Sequence, residues 1–230
     1  MKNNYLNLPK QNALLGFDLH LKNLISLYDL KKFPKVLMLS GQKGLGKYTC
    51  INHFLNYVFD KAKYDFKNKI IDDKSEFNNQ LKNNIFENII YLNNDSTDKV
   101  KIDDVRNLKK KILKSTINAG PRFIIINDAE LLNINSANGL LRLIEEPSDN
   151  NYFILIDNKT NQMIDTISSR CLKINIYFSN YERINIINNL INKFEVEPLI
   201  DFKTIDITPG LFLTYNSICL DNEITTDMNI

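Results

Sequence analysis

Apolar residues along the chain gather into short continuous runs separated by longer stretches of helical spacing, and that alternation predicts the fold. Five segments read as strands: Val36–Leu39, Glu87–Leu92, Arg122–Ile126, Tyr152–Ile156 and Leu172–Tyr177. Continuous apolar runs of this kind suit strands covered on both faces, as in a parallel sheet with helical crossovers. Helical spacing lies between them. Asp18 stands as an N-cap before Leu21, Leu24, Ile25 and Tyr28, and Phe33-Pro34 ends that helix. Ile51, Phe54, Leu55 and Val58 mark a second, running to about Asp60. Asp103-Asp104 open a third with Val105, Leu108 and Ile112 inward, and Ser136 stands as the cap of a fourth, whose apolar stripe is Ala137, Leu140, Leu141 and Ile144. Residues 61–86 are rich in Lys, Asp and Asn and read as a surface excursion with some short helix. After Phe178 the strand pattern stops. Ile184, Ile187, Leu190 and Ile191 form a helix, Ile200–Ile205 is a mixed apolar segment, and Thr208-Pro209-Gly210 opens a last helix near Leu211–Leu220 before a polar tail. The expectation is an α/β domain over 1–177, with a five-stranded parallel sheet between helices, then a small all-helical lid domain over 178–230.

The first strand runs into Gly41-Gln42-Lys43-Gly44-Leu45-Gly46-Lys47-Tyr48-Thr49, and a helix follows. Strand, glycine loop and helix carrying Gly-x4-Gly-Lys make the P-loop context, in which backbone N–H groups and the helix N-terminus cradle phosphate and Lys47 reaches its terminal oxygens. One position departs from that pattern. The Mg²⁺-holding Ser or Thr after the lysine is Tyr48, and Thr49 comes one place late, about 100° round the helix. The third strand ends in Asn127-Asp128-Ala129-Glu130. Counted from the strand, neutral Asn127 takes the place of the Mg²⁺-binding Asp and Asp128 that of the catalytic acid. A one-residue slip would make Asp128 the magnesium acid instead, and a plain helix-cap role fits it too. Asn158, beyond the fourth strand, faces the ligand edge of such a sheet and reads either as a γ-phosphate sensor or as a turn residue. Arg170, just before the fifth strand, suits either a phosphate-stabilising finger acting on a neighbour or an ordinary surface ion pair.

Composition narrows the class without redirecting it. Lys+Arg 29 against Asp+Glu 27 leaves a net charge of +2, which demands neither nucleic acid nor a membrane as partner. Cys50, Cys171 and Cys219 are odd in number and lack any CxxC spacing, which argues against disulfides and zinc and suits a reducing, cytoplasmic setting. No signal peptide and no 18-residue apolar run are read in the sequence. The cationic set Arg106, Lys109, Lys110, Lys111 and Lys114 reads as a solvated helix face, with DNA phosphates as the other reading.

Taken in order, the segments resemble the clamp-loader branch of the AAA+ ATPases. Asn127-Asp128-Ala129-Glu130 through Ser136-Ala137-Asn138-Gly139-Leu140-Leu141-Arg142-Leu143-Ile144-Glu145-Glu146-Pro147 is similar to that branch's "DAE…AANALLKxLEEP" signature. Ser169-Arg170-Cys171 matches its Ser-Arg-Cys motif, and Ile102-Asp103-Asp104-Val105-Arg106 its "I-D-x-I-R" helix start. Within the branch the match is nearest to the delta-prime type, whose loop often reads Gly-Lys-x-Thr, with gamma/tau-type motors as near relatives. The resemblance implies a DNA polymerase III loader subunit that offers Arg170 in trans, with Asp128 as its own catalytic acid. It implies at most weak ATP or ADP binding at Gly41, Gly44, Gly46, Lys47, Tyr48, Thr49, Asn127 and Asn158, a poor Mg²⁺ site and no metal of its own. Its implied partners are gamma/tau- and delta-type subunits, the sliding clamp and primed DNA, with no membrane. An active motor ATPase and a non-replicative AAA+ adaptor are the alternatives. Departures from the branch are the absent four-cysteine zinc module, Gly139 in place of Ala, and a chain that stops where a collar domain should begin, as in a fragment or a reduced ring contact.

Overall fold

A computed structural model describes residues 12–83, 85–92, 102–113 and 120–222. Lys114 and the tail beyond residue 222 therefore lie outside the described residues. The elements are α1 (Asp18–Asp29), β1 (Val36–Ser40), α2 (Lys47–Phe59), α3 (Glu76–Lys82), β2 (Ile89–Leu92), α4 (Ile102–Leu113), β3 (Arg122–Ile126), α5 (Ile134–Glu145), β4 (Asn151–Asp157), α6 (Asp165–Ser168), β5 (Leu172–Asn175), α7 (Asn180–Phe194) and α8 (Pro209–Asp221). The sheet has five strands in the order β2-β3-β4-β1-β5, every pair parallel.

Strand alternation divides the core into two layers, because successive side chains leave opposite faces. Leu37, Leu39, Phe123, Ile125, Ile154 and Ile156 face α1, α2 and α3, where Phe33, Phe54 and Phe123 pack ring against ring. Val36, Met38, Ile124, Ile126, Phe153 and Leu155 face α4, α5 and α6. Gly139 lies on this second side; a Cβ there would come 3.2 Å from Val105 Cγ1, so its missing side chain lets α4 approach α5.

Two capping expectations are corrected. Asp18 is not an N-cap: Phe17 holds that position without a side-chain bond, while Asp18 lies in the first turn, where its charge suits the helix dipole, and pairs with Lys69. Ser136 does not cap α5. Asn133 does, with extended backbone and its Oδ1 accepting from Ser136 N at 2.8 Å, so the helix begins before the serine. The excursion over 61–86 carries α3, capped by Ser75, and the bridge Asp65↔Ile70.

The lid begins with a capping box, Ser179 N donating to Glu182 Oε2 at 2.8 Å and Glu182 N to Ser179 Oγ at 3.3 Å. Its core joins Ile186, Ile187, Leu190, Phe202, Phe212 and Leu213. Arg183 is buried beneath it and donates to Phe202 O at 2.8 Å and Ile207 O at 3.2 Å. Arg183→Met would leave two buried carbonyls unpaired, so a loss of about 2–4 kcal/mol in denaturant unfolding is expected; a loss below about 1 kcal/mol would show that water replaces the guanidinium.

Candidate functional site

The carboxyl ends of β1, β3 and β4 lie together, and the loops leaving them build one cleft. Backbone register sets Ser40 opposite Asp157, and Ser40 Oγ donates to Asp157 Oδ2 at 2.6 Å in the interior. Gly41 follows with no room for a side chain: a Cβ would meet Ile176 O at 2.4 Å. Gly44 and Gly46 take φ values of 86° and 98°, the left-handed region open to glycine, and they turn the chain into α2. The loop lines a cavity of ≈ 380 Å³ together with apolar Leu14, Leu15, Phe17, Ile186 and Leu211 and with Lys47, Tyr48, Thr49, Asn127, Asp128 and Asn158.

Lys47 is 2% exposed, and its ammonium donates to Gly41 O at 2.6 Å and Gln42 O at 2.8 Å. An ammonium has three N–H groups, so one remains for a ligand. Burial lowers its pKa from 10.5 to about 8, against the opposing pull of Glu130, Asp157 and Asp128. The folded state thus holds this proton less tightly than the unfolded chain. The stability cost is fully present below pH 8 and is relieved as pH rises from about 8 to 10.5. Its size is on the order of 3 kcal/mol, partly offset by the two hydrogen bonds. Lys47→Met should therefore stabilise the ligand-free protein at pH 7 by about 1–2 kcal/mol in urea unfolding. That advantage should shrink as the pH approaches 10; an advantage independent of pH would mean that the ammonium is not under strain.

Tyr48 lines the cleft and packs, partly buried, against the first core layer. Its ring lies 6.0 Å from that of Tyr91 on β2, whose hydroxyl donates to Asn52 Oδ1 at 3.4 Å. Burial pushes both phenols above their usual pKa, so they are neutral. Asp128, at φ 49°, holds the N-cap position of a short 3₁₀ turn over Ala129–Leu131, but its side chain makes no cap bond. Its carboxylate is clasped by two amides: Asn127 Nδ2 donates to Oδ2 at 2.8 Å and Asn158 Nδ2 to Oδ1 at 2.7 Å. Asn158 is thereby tied into the cleft rather than serving only as a turn. Sequence reasoning overlooked Glu130, which is 4% exposed; it accepts from Asn158 N at 3.0 Å and Thr160 Oγ1 at 2.7 Å, joining the ends of β3 and β4. An acid four residues past an apolar strand was the available signal.

The start of α8 touches the glycine loop directly, which sequence reasoning also missed. Gly210 N donates to Gly44 O at 2.8 Å, and Thr208 Oγ1 to Lys43 O at 2.7 Å. Arg170 is not among the cleft residues. It stands exposed between α6 and β5, with Nε 2.7 Å from Glu145 Oε1 and Nη1 2.8 Å from Thr166 O. The surface ion pair anticipated for it is present. Arg106, Lys109, Lys110 and Lys111 on α4 are exposed. Among the described residues no His, Cys, Asp and Glu side chains converge to hold a metal ion, and no helix is long and apolar enough to cross a membrane.

A family model described as DNA polymerase III, delta subunit, matches residues 18–180. The chain belongs to that family. The DNA polymerase III subunit delta' of Pseudomonas aeruginosa is 32% identical over 74 residues, 32% of this chain and 23% of that protein. The delta' subunit of Buchnera aphidicola subsp. Schizaphis graminum is 24% identical over 150 residues, 65% of this chain and 45% of its own length. The gamma subunit of the same organism is 24% identical over 185 residues, 78% of this chain and 48% of its own. The chain spans less than half the length of each of these relatives. Among solved structures, the Thermotoga maritima RuvB Holliday junction branch migration motor superposes with a TM-score of 0.53 at 17% identity, over 94% of this chain and 66% of its own, which shows the AAA+ fold. The family's clamp-loader signature now has a physical meaning here. Glu130 bridges two strand ends, Ala137, Leu140 and Ile144 fill the second core layer, and Glu145 holds Arg170.

Proposed function

We propose that this chain is a clamp-loader subunit of the delta-prime type, acting with gamma/tau- and delta-type subunits to place the sliding clamp on primed DNA in the cytoplasm. Its own ATP site is weak or inactive, and Arg170 serves the nucleotide of a neighbouring subunit. The observation that carries this reading is the separation of the two halves of the chemistry: the arginine stands outside the cleft of its own chain and faces solvent, while a phenol and an amide stand where that cleft would hold Mg²⁺. An exposed guanidinium placed so serves a phosphate on another chain better than one on its own.

An active gamma-type motor is the competing reading, favoured by the intact Lys47 cradle and by the 24% identical gamma relative. ATP turnover separates the two. The protein alone should hydrolyse no ATP above background, and mixing with motor subunits, clamp and primed DNA should yield activity and co-purification. Turnover by the isolated protein that disappears in Lys47→Ala would establish the motor instead. Failure to co-purify with any loader subunit would sink both.

A further inference from the structure

A second concavity shares no residue with the cleft. It has a volume of ≈ 560 Å³ and lies where the second half of α1 meets the end of α2 and the turn after it. Two buried tyrosines, Tyr57 and Tyr64, line it, together with Leu30 and Phe66, which are 61% and 45% exposed. The Phe66 ring stands 6.0 Å from that of Tyr57 and tilted 57° to it, and Tyr64 meets Tyr57 edge-on at 6.4 Å. Single exposed apolar residues are ordinary on a folded surface. Rings gathered round a hollow of this size instead have the anatomy of a pocket for a large apolar side chain.

The charged groups of the hollow select the chemistry of its occupant. Lys22 on α1 and Lys61 beyond α2 both line it and are both exposed. Lys61 Nζ lies 4.6 Å from the centre of the Tyr57 ring, held by the negative face of the π-system. Asp29 is the only acid among the lining residues; it accepts from Tyr57 Oη at 2.9 Å, and a carboxylate has further lone pairs to offer a donor. Two cations against one acid favour an anionic ligand, while Asp29 asks for an N–H. An acidic peptide supplies both, its carboxylates for the lysines and its backbone N–H for Asp29. A nucleic-acid strand matches less well, because its phosphodiester backbone has no donor and its negative charge meets Asp29.

We propose that this hollow docks an extended acidic peptide segment of a partner protein, with one aromatic or large aliphatic side chain seated among Tyr57, Tyr64 and Phe66. Flanking carboxylates pair with Lys22 and Lys61. The inference goes beyond the clamp-loader reading and depends on neither the cleft nor Arg170.

The test titrates the whole protein with three fluorescein-labelled peptides: Asp-Asp-Phe-Asp-Asp, Asp-Asp-Ser-Asp-Asp and Lys-Lys-Phe-Lys-Lys. The first should saturate below about 1 mM, and the other two should bind at least about tenfold more weakly. In an NMR titration the first peptide should move the amide signals of Ile25, Tyr57 and Phe66. Phe66→Ala should weaken the first peptide at least about tenfold. Lys61→Glu should weaken it similarly and narrow its advantage over the lysine-flanked peptide. Lys61 is exposed, so that variant decides the matter even if Phe66→Ala does not fold. Three results overturn the proposal: no saturable binding of the first peptide, equal binding of all three, or shifts confined to other parts of the surface. A fluorescein-labelled oligothymidylate that binds more tightly than the peptide, or a dimer in sedimentation that Phe66→Ala dissolves, gives the hollow to another occupant and overturns it too.

Discussion

Replacing Arg170 with alanine is expected to lower ATP turnover of a reconstituted loader by a factor on the order of 10³ at the one site it serves. The guanidinium is held only by partners at the surface, Glu145 and Thr166 O. Its partner Glu145 is itself exposed, the two side chains being 39% and 42% accessible, and an ion pair in such surroundings contributes only about 0.2–1 kcal/mol. A neighbour's phosphate, with full negative charge in a drier setting, outcompetes that carboxylate. Two controls sharpen the result. Arg170→Lys should recover little, because a point ammonium does not reproduce the planar fork. Lys47→Ala in the same mixture should matter far less, since it touches a site not expected to fire. Unchanged turnover in Arg170→Ala at the site it faces would remove the finger, and an equal loss in Lys47→Ala would move the chemistry into this subunit's own cleft.

Gly210→Ala should lower stability as much as Arg183→Met does. A Cβ there would lie 2.8 Å from both Gly44 Cα and Gly44 O, and backbone atoms in a tight loop cannot rotate aside as a side chain would. Either the loop deforms, with its phosphate cradle, or the lid moves off and both bonds to Lys43 and Gly44 are lost. Overpacking of this kind costs about 1–3 kcal/mol, and each lost hydrogen bond about 1 kcal/mol more. Urea unfolding should therefore show a loss of about 2–4 kcal/mol, whereas Thr208→Ala should lose only about 1 kcal/mol. Equal small losses in the two variants would show that the contact tolerates displacement and does not hold the lid.

Much of this architecture was legible beforehand, for reasons particular residues make plain. Phe123-Ile124-Ile125-Ile126 has no polar break, so only a strand covered on both faces buries it, and Gly44 and Gly46 announce a turn that other residues reach at a cost. The cap of α5 was misplaced because Asn133 and Ser136 both carry capping oxygens, and backbone geometry selects between them. Asp128 was ambiguous for a similar reason: its role depends on the left-handed backbone that lifts its carboxylate between two amides, one of them thirty residues away in the chain. The lid contact was hidden more deeply. It joins a Thr208 hydroxyl to Lys43, 165 positions away, and the Gly210 backbone to Gly44, and a glycine pair in contact leaves no trace in hydropathy or periodicity.

That same contact supplies a reporter that needs no label. The Gly210 amide proton sits in the bond to Gly44 O, between two pieces of chain that touch only when the lid is seated. Its exchange with deuterated solvent requires their separation, so its protection factor reads the free energy of lid opening directly. Comparing that one amide with the buried amides of β3, which exchange through global unfolding, would separate a hinge that swings in the native state from one that parts only when the whole chain unfolds.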